Sequence, residues 1–112
     1  SIKKWYKNRH RGNHEYWGGF LEQNLIVIGV TKKDPARFWL KFLAVDPAYH
    51  RQHLGQKFVN KLQNYHKPIY TIFTQVLKGN DVALHFFQKS GFQQVIEENT
   101  DEEYVLKWTR ST

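Results

Sequence analysis

The sequence predicts a single α/β domain in which helices pack on a mixed β-sheet, and three features support this fold class. Residues 15–45 are rich in aromatic and β-branched side chains and contain short turn signals, which is typical of consecutive strands. Residues 55–65 carry apolar side chains at helical spacing, and residues 69–91 continue with a strand and a second helix. This order of elements predicts a sheet of mixed strand direction that is covered by helices.

The first half of the chain predicts a basic arm followed by three strands. Residues 1–13 have no clear apolar period, so we expect an arm, helical in part, ahead of a domain that covers residues 14–112. Gly18-Gly19 weakens the first strand and indicates a bulge. The predicted strands, separated by turns at residues 23–24 and 33–36, are residues 15–22, 25–32 and 37–45.

The second half predicts two helices and three further strands. Residues 55–65 form an amphipathic helix that Pro68 closes, because apolar residues recur at steps of three to four. The helix at residues 80–91 has signals at both ends, since Asn80 or its neighbour Gly79 can start it and Gly91 can end it in a left-handed conformation. The predicted strands are residues 69–76, 92–96 and 103–108, the last two forming a hairpin around an acidic turn.

The composition of the chain excludes several classes of protein. The chain has 112 residues, no cysteine and no apolar run long enough to cross a membrane, so we expect a cytoplasmic protein without disulfides. Aromatic residues make up 16% of the chain, which excludes a disordered protein. The net charge is +7 and half of the acidic residues lie in residues 97–103, so the rest of the surface is strongly basic. Such a surface favours anionic partners, although an ordinary solvated surface is the alternative.

A strand, a tight loop and a helix follow one another in residues 43–58. The first N–H groups of a helix lack internal partners and carry partial positive charge, so such an end binds phosphate readily. Gly55 lets an anion approach the backbone closely, and Arg51 and Lys57 add positive charge. These residues predict an anion site, and a plain surface turn is the alternative.

The loop and the second helix together resemble the GNAT superfamily of acyl-CoA-dependent N-acyltransferases over residues 16–108. The resemblance is carried by Leu43, Val45 and Pro47 at the strand end, by Gly55 at the last position of the family's Q/R-x-x-G-x-G/A loop, and by the spacing N-x-x-A-x-x-F-x-x-x-x-G-F in residues 80–92. It implies a mostly antiparallel mixed sheet with flanking helices. Its central parallel pair, residues 37–45 and 69–76, would splay apart.

The resemblance also implies how acetyl-CoA, the acyl donor, is bound. Backbone groups at the end of the third strand hold the pantetheine arm, the loop that begins at His50 holds the pyrophosphate, and Asn80 contacts the arm or carries a water. The residues implied in binding are Leu43, Ala44, Val45, His50, Arg51, Gln52, His53, Leu54, Gly55, Gln56, Asn80 and Phe87. No cysteine or suitable carboxylate accompanies the loop histidines, so we expect no metal.

Several departures from the family pattern bear on binding and catalysis. His50 replaces the usual glutamine or arginine of the loop, and His53 replaces its first glycine. Phe87 stands where many members carry a tyrosine that protonates the departing thiolate. No residue matches the usual general base, and the catalytic candidates are Glu15 and Asn80. Other sources of a base are His14, His85 and Tyr104.

The predicted function is transfer of an acetyl group from acetyl-CoA to a primary amine by direct attack, with an unidentified small-molecule, peptide or protein acceptor. The alternative is a catalytically weak or inactive module of a larger protein, and a nucleic-acid-associated domain that uses the basic arm is a third hypothesis. The chain is short at its start relative to the family, so the resemblance leaves three possibilities for the acceptor groove. Another part of a larger chain completes it, the second subunit of a homodimer completes it, or it stays open. No membrane partner is expected.

Overall fold

The computed structural model describes residues 4–9, 14–65 and 71–111. In these residues, strands form one seven-stranded sheet in the order β1-β2-β3-β4-β5-β7-β6. The strands are β1 (Lys4–Arg9), β2 (His14–Leu21), β3 (Asn24–Lys33), β4 (Phe38–Val45), β5 (Thr71–Leu77), β6 (Gln93–Gln94) and β7 (Glu103–Thr109). The α-helices are α1 (Leu54–Tyr65) and α2 (Asp81–Lys89), and the 3-10 helices are η1 (Pro47–Gln52) and η2 (Ile96–Glu98). Neighbouring strands are antiparallel except for the pair β4–β5, which confirms the predicted mixed fold.

Residues 4–9, which we expected to belong to a partly helical arm, form the edge strand β1. This strand pairs antiparallel with β2 over its whole length. The ring of Trp5 lies 5.8 Å from that of Phe58 on α1, so an aromatic side chain of β1 joins the packing of the core. The helical expectation is therefore wrong for these residues, and residues 1–3 and 10–13 lie outside the described part of the chain.

A bulge lies beside the predicted position but on the partner strand, because Ile26 of β3 is the extra residue opposite Gly19 and Phe20. The pairing of β2 with β3 shifts register between Gly19 and Phe20. Gly19 also makes room for the indole of Trp5, because a Cβ at this position would lie 2.7 Å from that ring. Gly19 therefore serves the packing of β1, and the predicted weakness of β2 at Gly18-Gly19 does not produce a bulge in that strand.

The ends of the other predicted elements differ by a few residues. β5 begins at Thr71, and the predicted positions 69–70 and the helix-closing Pro68 lie outside the described residues. The strand predicted at residues 92–96 is reduced to β6 because the chain turns into η2 directly after Val95. None of the helices in the described residues is long and apolar enough to span a membrane.

Both α-helices cover the same face of the sheet. Phe58 of α1 is fully buried, and its ring lies 5.8 Å from Trp5 and 5.9 Å from Trp17. Gly29 of β3 lies directly beneath this phenyl ring, since a Cβ at Gly29 would come within 2.2 Å of it. The glycine is required here because the ring fills the space that a side chain of β3 would need.

The strands β4 and β5 are paired at their first residues and then separate. The parallel pairing ends at Leu40 and Thr74, whereas β4 continues to Val45 and β5 to Leu77. The pairing of β3 with β4 shifts at the same level and leaves Lys41 as an extra residue on β4. Such a bulge bends and twists a strand, so it directs the end of β4 away from β5. The splayed pair is confirmed, and the bulge beside it was not predicted.

Candidate functional site

A cavity of about 590 Å³ opens where β4 and β5 separate, between the end of β4 and the helices α1 and α2. Most residues predicted to bind the acyl donor line it: Leu43, Val45, His50, His53, Leu54, Gly55, Gln56, Asn80 and Phe87. Of the described residues that line the cavity, none is acidic, whereas two are histidines and one is Lys89. The cavity is therefore suited electrostatically to an anion.

The start of α1 provides amide groups at the mouth of this cavity. Lys57 donates its N–H to the His53 carbonyl at 3.1 Å, the first bond that spans a full turn of α1. The N–H groups of Leu54, Gly55 and Gln56 precede that bond, as in the first turn of any α-helix. No acidic residue lies in this first turn, so its partial positive charge is not compensated by its own side chains.

The two loop histidines shape the backbone next to these amides. His53 has φ 55° and ψ 33°, a left-handed conformation that costs a residue with a Cβ about 1 kcal/mol. The position therefore does need the unusual backbone angles that make glycine favourable in the family's loop. The Nε2 atom of His50 lies 2.9 Å from the Val45 carbonyl and donates to it, since a carbonyl only accepts. His50 thus ties the loop to the end of β4.

Asn80 marks the start of α2 at the other wall of the cavity. Its side-chain oxygen accepts the N–H of Ala83 at 3.2 Å, so the predicted cap is confirmed. The NH₂ group of the same side chain takes no part in this bond and is compatible with a ligand contact as well. The helix ends where predicted, because Gly91 adopts φ 93°.

Phe87 lies in the hydrophobic core and also contributes to the cavity wall. It is 7% exposed, and its ring centroid lies 5.0 Å from that of Phe86 and 5.2 Å from that of Phe92. Its phenyl ring has no proton to donate. The wall that would face a departing thiolate is therefore apolar at this position.

Some predicted residues lie outside the cavity lining. Ala44 alternates with Leu43 and Val45 along β4, so its side chain points to the opposite face of the sheet. Gln52 is exposed at the end of η1, and the side chain of Arg51 lies outside what the structure describes.

Glu15, the candidate base, lies on β2 and is paired with Lys7 at 3.1 Å. Its strand is separated from β4 by β3, and Glu15 and Leu40 both pair in register with Thr31. The Cα of Glu15 is therefore about 10 Å, two inter-strand spacings, from that of Leu40, and its carboxylate is paired with a residue of β1, on the side away from β4. Among the other candidates, His85 is exposed on α2, and Tyr104 packs against the core from β7.

Helix α2 contributes a part of the cavity wall that was not predicted from the sequence. Val82, Ala83, Phe86 and Lys89 all line the cavity and were not assigned to the site. A signal existed for two of them, since Ala83 and Phe86 share one helical face with Phe87. That spacing cannot distinguish a face buried in the core from one that borders a cavity.

A second polar cluster lies at the start of β4, outside the cavity. Arg37 donates two hydrogen bonds to Glu98, at 2.6 and 2.8 Å, and this contact lowers the pKa of Glu98 and raises that of Arg37. The pKa of Asp34 is also lowered, because its carboxylate accepts the backbone N–H groups of Ala36 and Arg37 and the indole N–H of Trp39. The cluster fixes the turn between β3 and β4.

In residues 4–9, 14–65 and 71–111, no three His, Asp or Glu side chains form a group that could hold a metal ion.

A sequence profile of the acetyltransferase (GNAT) family matches residues 1–92. The chain belongs to the GNAT acetyltransferase family. No curated protein sequence gives a significant match to it.

Several solved GNAT structures are similar to this chain at low sequence identity. The PaiA N-acetyltransferase from Thermoplasma acidophilum, in complex with coenzyme A, superposes with a TM-score of 0.77 and 20% identity over 87% of this chain and 61% of its own. An acetyltransferase from Thermus thermophilus superposes with a TM-score of 0.79 and 17% identity, over 88% of this chain and 66% of its own. The ribosomal-protein-S18-alanine N-acetyltransferase from Escherichia coli superposes with a TM-score of 0.74 and 19% identity, over 89% of this chain and 71% of its own. The likeness supports the fold, and the chain spans about two thirds of the length of these proteins.

Proposed function

We propose that this GNAT domain, residues 14–112 with the preceding arm partly joined to its sheet as β1, is an N-acetyltransferase. It would move the acetyl group of acetyl-CoA to a primary amine by direct attack. The observation that carries the proposal is the cavity at the splayed strands, because it combines a free helix start, a lining with a lysine and no acidic residue, and access to the gap in the sheet. The coenzyme A in the Thermoplasma structure supports the choice of donor.

The residues of the cavity fit the parts of the donor. The amides of Gly55 and Gln56 would bind the pyrophosphate, with Lys89 adding positive charge. The backbone of Leu43 and Val45, released from pairing with β5, would bind the amide groups of the pantetheine arm. An N–H on this stretch, aimed at the thioester oxygen, would stabilise the charge that develops there during attack.

The proposed reaction needs few chemical groups from the protein. The acceptor nitrogen forms a bond to the acyl carbon while the carbon–sulfur bond breaks, and the sulfur leaves with the bonding electron pair. The nitrogen loses its proton to solvent. Glu15, the candidate base, lies two strands from β4, on the helix side of the sheet and paired with Lys7, so it would act only by way of intervening water. The thiolate takes its proton from solvent, since Phe87 cannot supply one.

Calorimetric titration with acetyl-CoA tests the binding half of the proposal. We expect micromolar affinity, and we expect Gly55→Glu to abolish it because the new carboxylate would occupy the anion site. Gln88→Glu is the matched control, since it adds the same charge at an exposed position of α2 that does not line the cavity. Equal affinity of the native protein and Gly55→Glu would contradict the proposed donor site.

A weakly active or inactive module of this fold is the second candidate, favoured by the strained His53 and by the apolar Phe87. Release of free thiol in the presence of amine acceptors separates the two candidates. The enzyme releases thiol in proportion to acceptor consumed, whereas the module binds acetyl-CoA without turnover.

A further inference from the structure

The sheet face opposite the helices carries two adjacent aromatic rings where β4 and β5 separate. Trp39 and Phe73 pair in register, and their ring centroids lie 5.3 Å apart. Two positions farther along each strand, the Lys41 ammonium donates a hydrogen bond of 2.9 Å to the side-chain oxygen of Gln75. This bond spans the gap immediately beyond the last backbone pair of the two strands.

The alternation of β5 assigns these groups to the open face. Ile72, Thr74 and Val76 are buried beneath the helices, whereas Phe73 is partly buried and Gln75 is exposed. The donor cavity lies on the helix side of the same gap. A thioester that enters the gap from the cavity would therefore meet an amine that arrives on the side of the aromatic pair.

Cations surround the two rings. The Arg37 guanidinium lies 4.0 Å from the centroid of Phe73, and the Lys41 ammonium lies 5.2 Å from that of Trp39. Lys107 of β7 is exposed and pairs in register with Phe73, so it extends over the same face. Because the hydrogen-bond partner of Lys41 is a neutral amide, this bond leaves the charge of the ammonium uncompensated.

The carboxylates near the rings are already held by donors. Glu98 accepts both hydrogen bonds of the Arg37 guanidinium. Asp34 accepts the indole N–H of Trp39 at 3.1 Å in addition to two backbone N–H groups. An incoming ammonium group would have to compete with these donors. An incoming anion would meet Lys41, whose hydrogen-bond partner is neutral, and Lys107, whose charge also lowers the pKa of Glu98.

We propose that this surface, which we call the acceptor patch (Trp39, Lys41, Phe73, Gln75 and Lys107), binds amines that also carry an anionic group, a carboxylate or a phosphate. The inference rests on the proposed function. The rings support the carbon skeleton, Lys41 and Lys107 bind the anion, and the amino group faces the gap. Polycationic acceptors are disfavoured by the same charges.

Matched pairs of small acceptors test this specificity. Comparing phosphoethanolamine with ethanolamine as acceptors measures the effect of a phosphate group. Comparing glycine with glycinamide measures the effect of a carboxylate, and spermidine represents the polycationic acceptors. We expect kcat/KM, followed by thiol release, to be about 10-fold higher for at least one anionic member than for its neutral partner. The preference should weaken as salt is added.

Variants of Lys41 assign the effect to the acceptor patch. Lys41→Gln should lower kcat/KM for the anionic acceptor about 10-fold through KM, with the neutral acceptor and the KM for acetyl-CoA unchanged. Lys41→Glu should shift the preference toward neutral and cationic amines. Lys61→Gln is the control, because it removes the same charge from the helix side, where this ammonium lies 5.8 Å from the ring of Trp5.

The outcomes separate the two levels of the proposal. Transfer that favours spermidine or the neutral partners, an equal loss for both members of a pair in Lys41→Gln, or bound acetyl-CoA with no transfer to any of these amines would each overturn the acceptor patch. Absence of acetyl-CoA binding by the native protein would overturn the proposed function itself. Circular dichroism of each variant verifies that the fold is retained.

Discussion

Replacing Gly29 by alanine should destabilise the fold, because the single added carbon atom would overlap the buried ring of Phe58. The new Cβ would lie 2.2 Å from Cζ and 2.5 Å from Cε2 of Phe58, whereas carbon atoms in contact are separated by about 3.5–4 Å. Phe58 cannot easily move aside, because it is fully buried with the rings of Trp5 and Trp17 close to it.

The magnitude follows from two opposing effects. Overpacking of a core costs about 1–3 kcal/mol, and an overlap of more than 1 Å favours the upper end of that range. Alanine recovers about 0.5–1 kcal/mol relative to glycine in a strand, because the unfolded chain has less freedom to lose. We therefore expect a net loss of about 2 kcal/mol, which lowers the midpoint of thermal unfolding by about 10 °C in a domain of this size.

Urea unfolding followed by circular dichroism measures the effect, with Gly18→Ala as the matched control. Gly18 is also within β2–β3 pairing, but its added Cβ would meet only the side-chain ends of Leu25 and Phe20 at 3.0 Å. A second test adds Phe58→Leu to Gly29→Ala, which should recover at least about 1 kcal/mol relative to the sum of the single variants. If Gly29→Ala were no less stable than Gly18→Ala, the reasoning from the ring position would be refuted.

Three further predictions concern the loop, the leaving group and acid stability. His53→Gly should stabilise the protein by about 0.5–1 kcal/mol in urea unfolding, because relief of the left-handed strain exceeds the added chain entropy; a loss of stability would contradict this. Phe87→Tyr should raise kcat up to about 100-fold in the thiol-release assay with the KM for acetyl-CoA unchanged, and an unaltered kcat in a folded variant would mean that no acid is needed there. The pKa values of Asp34 and Glu98 are lowered in the folded state, so they add stability above the unfolded pKa of about 4 that is lost as pH falls through their folded values. Thermal unfolding between pH 6 and pH 2 measures this loss, which should be smaller in Asp34→Asn; an identical pH dependence in that variant would count against the assignment.

Local patterns were enough to predict most of the fold. α1 was predicted at residues 55–65 and is observed at Leu54–Tyr65, because an apolar stripe at helical spacing is a property of the segment itself. Strand β1 was missed because Lys7 faces the helix side of the sheet, where it pairs with Glu15, and so interrupts the apolar alternation. Its folding as a strand depends on a partner that no local window contains.

The features missed at the site also depend on contacts distant in sequence. The bulge at Lys41 is a mismatch between β3 and β4, and no glycine or turn residue marks it in the sequence. The cavity wall of α2 exists because the splay keeps β4 away from that helix face. The loop and Asn80, in contrast, were predictable because caps and helix starts are encoded within a few residues.

The departures at residues 53 and 87 act at different stages of the proposed reaction, so they can be distinguished experimentally. His53 strains a loop that would bind the donor before chemistry begins, so its effect belongs to the affinity for acetyl-CoA and to the stability of the fold. Phe87 withholds a proton that is needed only as the carbon–sulfur bond breaks, so its effect belongs to kcat. An enzyme that evolved to work without an acid would already be active with Phe87, and His53→Gly would change its affinity for acetyl-CoA but not its kcat. A module that has lost catalysis would bind acetyl-CoA and would gain turnover only when residue 87 carries a hydroxyl.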